Sequence, residues 1–163
     1  MIDAAAISAP QAHDSVPPLR VASHSNPSLW NLNVLLVEDD AADASLILSV
    51  LQRHASVSTA RAMDSPALAL SQVATGRIIP DLVLLDIHMP RINGFQFLER
   101  LRQIPSMVSV PVVFLTTSGL DRDVSEYVRG SAVSYVLKPD SYGELQTRLD
   151  AVIKRAVSRA WIR

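Results

Sequence analysis

The chain contains no cysteine, which excludes disulfides, thiol chemistry and zinc–thiolate sites. It has no charge bias either. Fifteen Lys and Arg stand against sixteen Asp and Glu, for a net charge of −1. Composition therefore makes no general case for binding nucleic acid or a membrane surface. No apolar run approaches the roughly 20 residues that cross a bilayer. The opening MIDAAAISAP lacks the basic n-region and the continuous apolar h-region of a secretory signal. These absences together lead us to expect a cytoplasmic protein with no nucleic-acid or membrane partner.

What is present is enough for one domain with a real core: 163 residues, of which 48% are hydrophobic and 19% charged. Residues 1–31 differ from the rest. They carry Pro10, Pro17, Pro18 and Pro27 among Ala, Ser, Gln and His, without sustained periodicity. They read as a flexible N-terminal arm, with His13 and His24 as solvated loop residues. The domain proper is expected over 32–153, and residues 154–163 as an extension of its last helix.

Apolar runs and helical stripes alternate from Asn33 onward. NVLLVED is an apolar run ending in acids. AADASLILSVLQRH places Leu46, Ile47, Val50 and Leu51 on one helix face. Asp40 precedes it as a candidate N-cap, with Asp43 three residues on. SVSTARA is a short strand. SPALALSQVATG is a helix with Pro66 in its first turn and Gly76 at its end. DLVLLD is a strand, GFQFLERLRQI a helix with Phe97, Leu98, Leu101 and Ile104 inward, and VPVVFLTTS a strand. DRDVSEYVRG is a short helix, AVSYVLKP the last strand and SYGELQTRLDAVIKRAVSRAWIR a long final helix. His54, late in the first helix, reads as a residue favourable to the helix dipole.

Five strands alternating with five helices imply an α/β fold, with a parallel sheet covered on both faces. Five strands fit the flavodoxin-like, doubly wound order 2-1-3-4-5. Ligands of such sheets sit beyond the carboxyl ends of the strands. The polar residues fall there: Glu38 and Asp39 after strand 1, Asp86 after strand 3, Thr116 and Thr117 after strand 4, and Lys138 after strand 5. Three converging carboxylates repel one another unless a cation sits among them. Oxygen donors without His or Cys suggest magnesium. A lysine and a threonine hydroxyl opposite would suit phosphoryl oxygens. Asp86 then reads as a nucleophile beside a metal.

With these pieces in order and spacing, the sequence resembles the receiver domain of bacterial two-component response regulators, of the chemotaxis-regulator type. The resemblance rests on VEDD, LLDIHMPRINGF, PVVFLTTS and YVLKP, and covers residues 33 to about 153. It implies a phosphoryl group passed from the phosphohistidine of a histidine kinase to Asp86. It makes Glu38, Asp39 and Asp86 the Mg2+ ligands, with the backbone carbonyl of His88 as a further one. It makes Lys138 the partner of the phosphoryl group, before a cis bond to Pro139. Thr116 is the implied switch hydroxyl, and Tyr135 the aromatic that responds to it. FLTTS and the tail with Trp161 are similar to the small regulators that accompany phytochrome-type kinases. Asp140, Gly130 and Ser131 depart from the family pattern, on the face used for output contacts.

Rival classes fit less well. A metal-dependent aspartyl phosphatase usually needs a second Asp where His88 stands. A nucleotide- or flavin-binding domain needs a phosphate-binding loop after strand 1, and VEDDAADA has none. A helix-turn-helix output does not fit in the 23 residues from Ser141 onward. The expectation is a stand-alone receiver, not an enzyme in its own right, that signals through protein contacts. The alternative is a degenerate receiver acting as a phosphorylation-independent scaffold. Val157, Ala160, Trp161 and Ile162 are expected beyond the part of the last helix that covers the sheet, and to form a homodimer contact.

Overall fold

The computed structural model describes residues 31–117 and 133–158. Its elements are β1 (Leu32–Val37), α1 (Ala41–Leu51), β2 (Val57–Met63), α2 (Pro66–Ala74), β3 (Leu82–Asp86), α3 (Gly94–Arg102), β4 (Val112–Thr116), β5 (Val133–Leu137) and α4 (Tyr142–Val157), with a 3-10 turn at Pro105–Met107. The five strands form one parallel sheet in the order β2-β1-β3-β4-β5. The expected order is thus borne out. Four α-helices lie in the described residues. The helix expected at DRDVSEYVRG, and the departures at Gly130 and Ser131, lie outside them, as do His13 and His24.

Strand side chains alternate between two faces, and the core divides accordingly. Leu35, Val37, Val83, Leu85, Val112 and Phe114 pack with α2 and α3, against Ala69, Val73, Phe97, Leu98 and Leu101. Val34, Leu36, Leu82, Leu84, Val113 and Leu115 pack with α1 and α4, against Ile47, Val50, Leu51, Leu145, Leu149 and Ile153. Burial on both faces is why β1, β3 and β4 are continuous apolar runs. The edge strand β2 is only partly buried, in keeping with its mixed SVSTARA sequence.

Local signals set the helix starts. Asp40 caps α1 through Ala42 N–H and Asp43 N–H, both at 2.9 Å. Ser65 caps α2, with Pro66 at its start. Asn93 and Gln96 form a reciprocal capping box on α3. Gly76 follows α2 with φ +70°, the left-handed conformation that glycine adopts without penalty.

The last helix brings one correction. Val157 was expected to stand clear of the domain, but it packs, partly buried, against the α1/α4 side of the core. Ser158 then caps the helix. The helix runs sixteen residues, about 24 Å at 1.5 Å each, and Val157 at its end still reaches the core. Ala160, Trp161 and Ile162, on which the dimer expectation chiefly rests, lie outside the described residues.

Candidate functional site

Strand register assembles the site. Val37 pairs with Leu85 across β1 and β3, so Glu38 and Asp86 come next, side by side. Asp86 pairs with Leu115, which puts Thr116 one step further. Thr116 pairs with Leu137, and Lys138 N–H donates to the Thr116 carbonyl at 2.7 Å. Glu38 and Asp86 continue the parity of Leu36 and Leu84, whose face packs on α1 and α4. Both carboxylates therefore emerge on the side where α1 begins.

One carboxylate oxygen from each of Glu38, Asp39 and Asp86 can be chosen so that all three lie within 4.8 Å of one another. Glu38 is 2% exposed and Asp86 5%, whereas Asp39 faces solvent. Asp40 is not a member of this group; its Oδ1 is engaged in capping α1. Backbone N–H groups orient the two buried acids. Asp40 N–H donates to Glu38 Oε1 at 3.2 Å, and His88 N–H to Asp86 Oδ2 at 2.8 Å. An all-oxygen cluster with two buried members fits a hard divalent cation.

The remaining carboxylate oxygens of these two acids turn to Lys138. Its Nζ lies 2.7 Å from Glu38 Oε2, 2.8 Å from Asp86 Oδ1 and 2.8 Å from Asp43 Oδ2. Burial alone would lower the lysine's pKa, but its interactions with the acceptor carboxylates of Asp43, Asp86 and Glu38 outweigh it and raise it, so Lys138 stays an ammonium ion. Glu38 shifts upward as well. Burial raises it, the hydrogen bond from Lys138 opposes, and the charge of Asp86 adds to the rise. The two directions are compatible because three carboxylates share one ammonium. The lysine has three anionic partners, whereas Glu38 has one cationic partner, one backbone N–H and an anionic neighbour.

Asp43 is the residue that the sequence reading missed. In the sequence it stands only as a partner to the Asp40 cap, and Lys138 lies 95 residues away. The order of the strands was a usable signal: β1 borders β3, and α1 starts directly above their ends. His54 was also read too simply. It lies beyond the end of α1 at Leu51, not late in the helix; its Nε2 lies 3.2 Å from Asp150 Oδ1, and its Nδ1 accepts from Ser56 N–H at 3.1 Å, which ties the turn after α1 to α4.

Thr116 is 1% exposed while Thr117 faces solvent, so Thr116 is the residue turned into the fold. Tyr135 pairs with Phe114 across β4 and β5 and is 50% exposed. The ring of His88 is exposed, and with Asp39, Pro90, Asn93 and Phe95 it lines an open cleft beside the acids. The expected cis bond before Pro139 is corrected. No cis peptide occurs among the described residues, so the bond has the trans form that X–Pro amides favour by about 0.5–1 kcal/mol.

Residues 34–150 match the response regulator receiver domain. The chain belongs to that family. It is 30% identical over 123 residues to FilR2, a probable methanogenesis regulatory protein of Methanothrix harundinacea (strain 6Ac), covering 73% of this chain and 79% of that one. The crystal structure of the phosphorylated cyanobacterial phytochrome response regulator RcpA superimposes with a TM-score of 0.68 at 25% identity, over 79% of this chain and 96% of that one. The Mn2+-bound response regulator Rcp1 gives 0.63 at 28% identity, over 74% and 91%. Other curated relatives are longer proteins, of which the chain spans between 29% and 52%. Receiver domains of this family take phosphoryl groups from histidine kinases and interact with other proteins. Among the described residues, no helix is long and apolar enough to cross a membrane.

Proposed function

We propose that this protein is a phosphorylation-controlled interaction module, with Asp86 as the phosphoacceptor for a histidine kinase. The observation that carries this reading is the placement of Asp86. One of its oxygens meets the Lys138 ammonium at 2.8 Å, and the side chain belongs to a carboxylate cluster suited to a divalent cation. In the transfer, an Asp86 carboxylate oxygen forms a bond to phosphorus. The phosphorus–nitrogen bond of the kinase's phosphohistidine breaks, and its electron pair stays on the imidazole. Glu38, Asp39, Asp86 and the carbonyl of His88 would hold magnesium, which offsets the negative charge gathered at the crevice. Lys138 pairs with a phosphoryl oxygen. The buried Thr116 hydroxyl reads the phosphorylated state, and Tyr135 follows it. The likeness to RcpA supports a phytochrome-type kinase as the donor. The presence of Asp86, Lys138 and Thr116 together favours this reading over a phosphorylation-independent scaffold.

The test is labelling with acetyl phosphate. Wild-type protein takes up phosphate in Mg2+ and loses that capacity in chelator, and Asp86→Asn takes up none while keeping its fold. Labelling that survives the substitution or the chelator rules the assignment out.

A further inference from the structure

Lys138 has three N–H donors and no more. Two are hydrogen-bonded, to Glu38 Oε2 at 2.7 Å and Asp43 Oδ2 at 2.8 Å, and Asp86 Oδ1 sits against the ammonium as an ion pair at 2.8 Å, so three carboxylates crowd its reach. An ammonium in this state cannot hydrogen-bond an incoming phosphoryl oxygen until it releases one of these partners. The three are not equivalent. Glu38 and Asp86 belong to the cluster that fits a divalent cation. Asp43 does not, and its side chain is 42% exposed against 1% and 7% for the other two. With a cation bound among Glu38, Asp39 and Asp86, their charge is compensated and their hold on the lysine weakens. Asp43 keeps its full charge. Its backbone is fixed in turn, because Asp43 N–H donates to the Asp40 cap at 2.9 Å.

We propose that Asp43 is a positioning residue for phosphoryl transfer, which anchors Lys138 at the rim of the crevice in the cation-loaded protein and leaves its other two donors for phosphoryl oxygens. This rests on the phosphoacceptor reading above. A turn of sequence then carries three separate duties: Asp39 for the cation, Asp40 for the cap, and Asp43 for the lysine. An acid in the first turn of a helix also favours the helix dipole, but that effect needs no lysine 95 residues away, so the two roles separate experimentally.

The experiment uses the full chain with acetyl phosphate and Mg2+. During labelling, an Asp86 oxygen bonds to phosphorus, the phosphorus–oxygen bond of acetyl phosphate breaks, and its pair leaves with acetate; Lys138 keeps its protons throughout. Asp43→Asn should slow labelling about tenfold, the scale of one lost charge-assisted hydrogen bond, and Asp43→Glu should recover part of the rate. In a Lys138→Met background, Asp43→Asn should produce no further slowing. A readout apart from labelling is the Lys138 side-chain ammonium signal in 15N NMR of the Mg2+-loaded protein. It should be protected in the wild type and lost to fast exchange in Asp43→Asn. Wild-type rate and an unchanged ammonium signal in Asp43→Asn would overturn the proposal, as would equal slowing with and without Lys138. Wild-type protein that takes no label at Asp86 would overturn the phosphoacceptor reading itself, and this proposal with it.

Discussion

A β-carbon placed on Gly94 would lie 2.6 Å from the carbonyl oxygen of Asp86. The first turn of α3 thus rests directly on the strand end that carries Asp86, the proposed phosphoacceptor. Gly94 N–H also donates to the Ile87 carbonyl at 3.0 Å, which holds the two segments together. The glycine is required by this close approach.

Gly94→Ala should therefore destabilise the protein by about 1–3 kcal/mol, the usual range for overpacking. The nearest atoms are backbone, so the strain cannot be relieved by turning a side chain. It must move α3 or the end of β3, and labelling of Asp86 should slow as well. Urea denaturation and acetyl phosphate labelling of the same variant check both effects. A variant with unchanged stability would show that the two segments separate freely.

Most of the frame was legible in the sequence for a physical reason. Strands buried on both faces must be apolar throughout, so LLV, LVLL and VVFL identify themselves, and an acid at the end of such a run is conspicuous. Asp40 was readable because its capping partners lie two and three residues away. What stayed hidden depends on contacts distant in sequence. The pairings of Asp43 with Lys138 and of His54 with Asp150 span 95 and 96 residues, and no local pattern records them. Gly94 read only as the first residue of the GFQFLERLRQI helix, because its need for a missing β-carbon arises from Asp86 eight residues earlier. The packing of Val157 depends on where the core ends beneath α4.

Thr116 offers a separate test of signalling. It is buried beside Asp86's strand, and Tyr135 lies on β5, two register pairs before the Thr116–Leu137 pair. Thr116→Ala should still take phosphate at Asp86, with the rate changed far less than by loss of Lys138. The response of Tyr135 should disappear. Fluorinated tyrosine in 19F NMR, with beryllofluoride as the phosphoryl mimic, reads this directly: a shifted Tyr135 signal in the wild type, and none in the variant. A shift of equal size in both would remove Thr116 from the path.

Glu38 is one source of pH dependence in the cation-free protein. Its carboxyl is raised above the ordinary 4.5, by burial first and by the charge of Asp86, with the Lys138 hydrogen bond only partly offsetting them. A carboxyl raised in the folded state contributes stability that is fully present below its unfolded value. That stability is lost as pH rises through the folded value, because the folded chain holds the proton that the unfolded chain has released. In chelator, then, the wild type should lose stability relative to Glu38→Gln as pH rises from about 4.5 toward neutrality. At pH 7 the variant should be at least as stable as the wild type, since Lys138 retains Asp43 and Asp86. Magnesium should reverse the order, because a ligand that binds only the folded state stabilises it more the tighter it binds, and the variant lacks one of the charged groups proposed to hold it. Thermal melts of both proteins at several pH values, with chelator and with Mg2+, measure the two trends. A Glu38→Gln protein markedly less stable than wild type in chelator at pH 7 would mean that the Glu38–Lys138 pair outweighs the burial of the carboxylate.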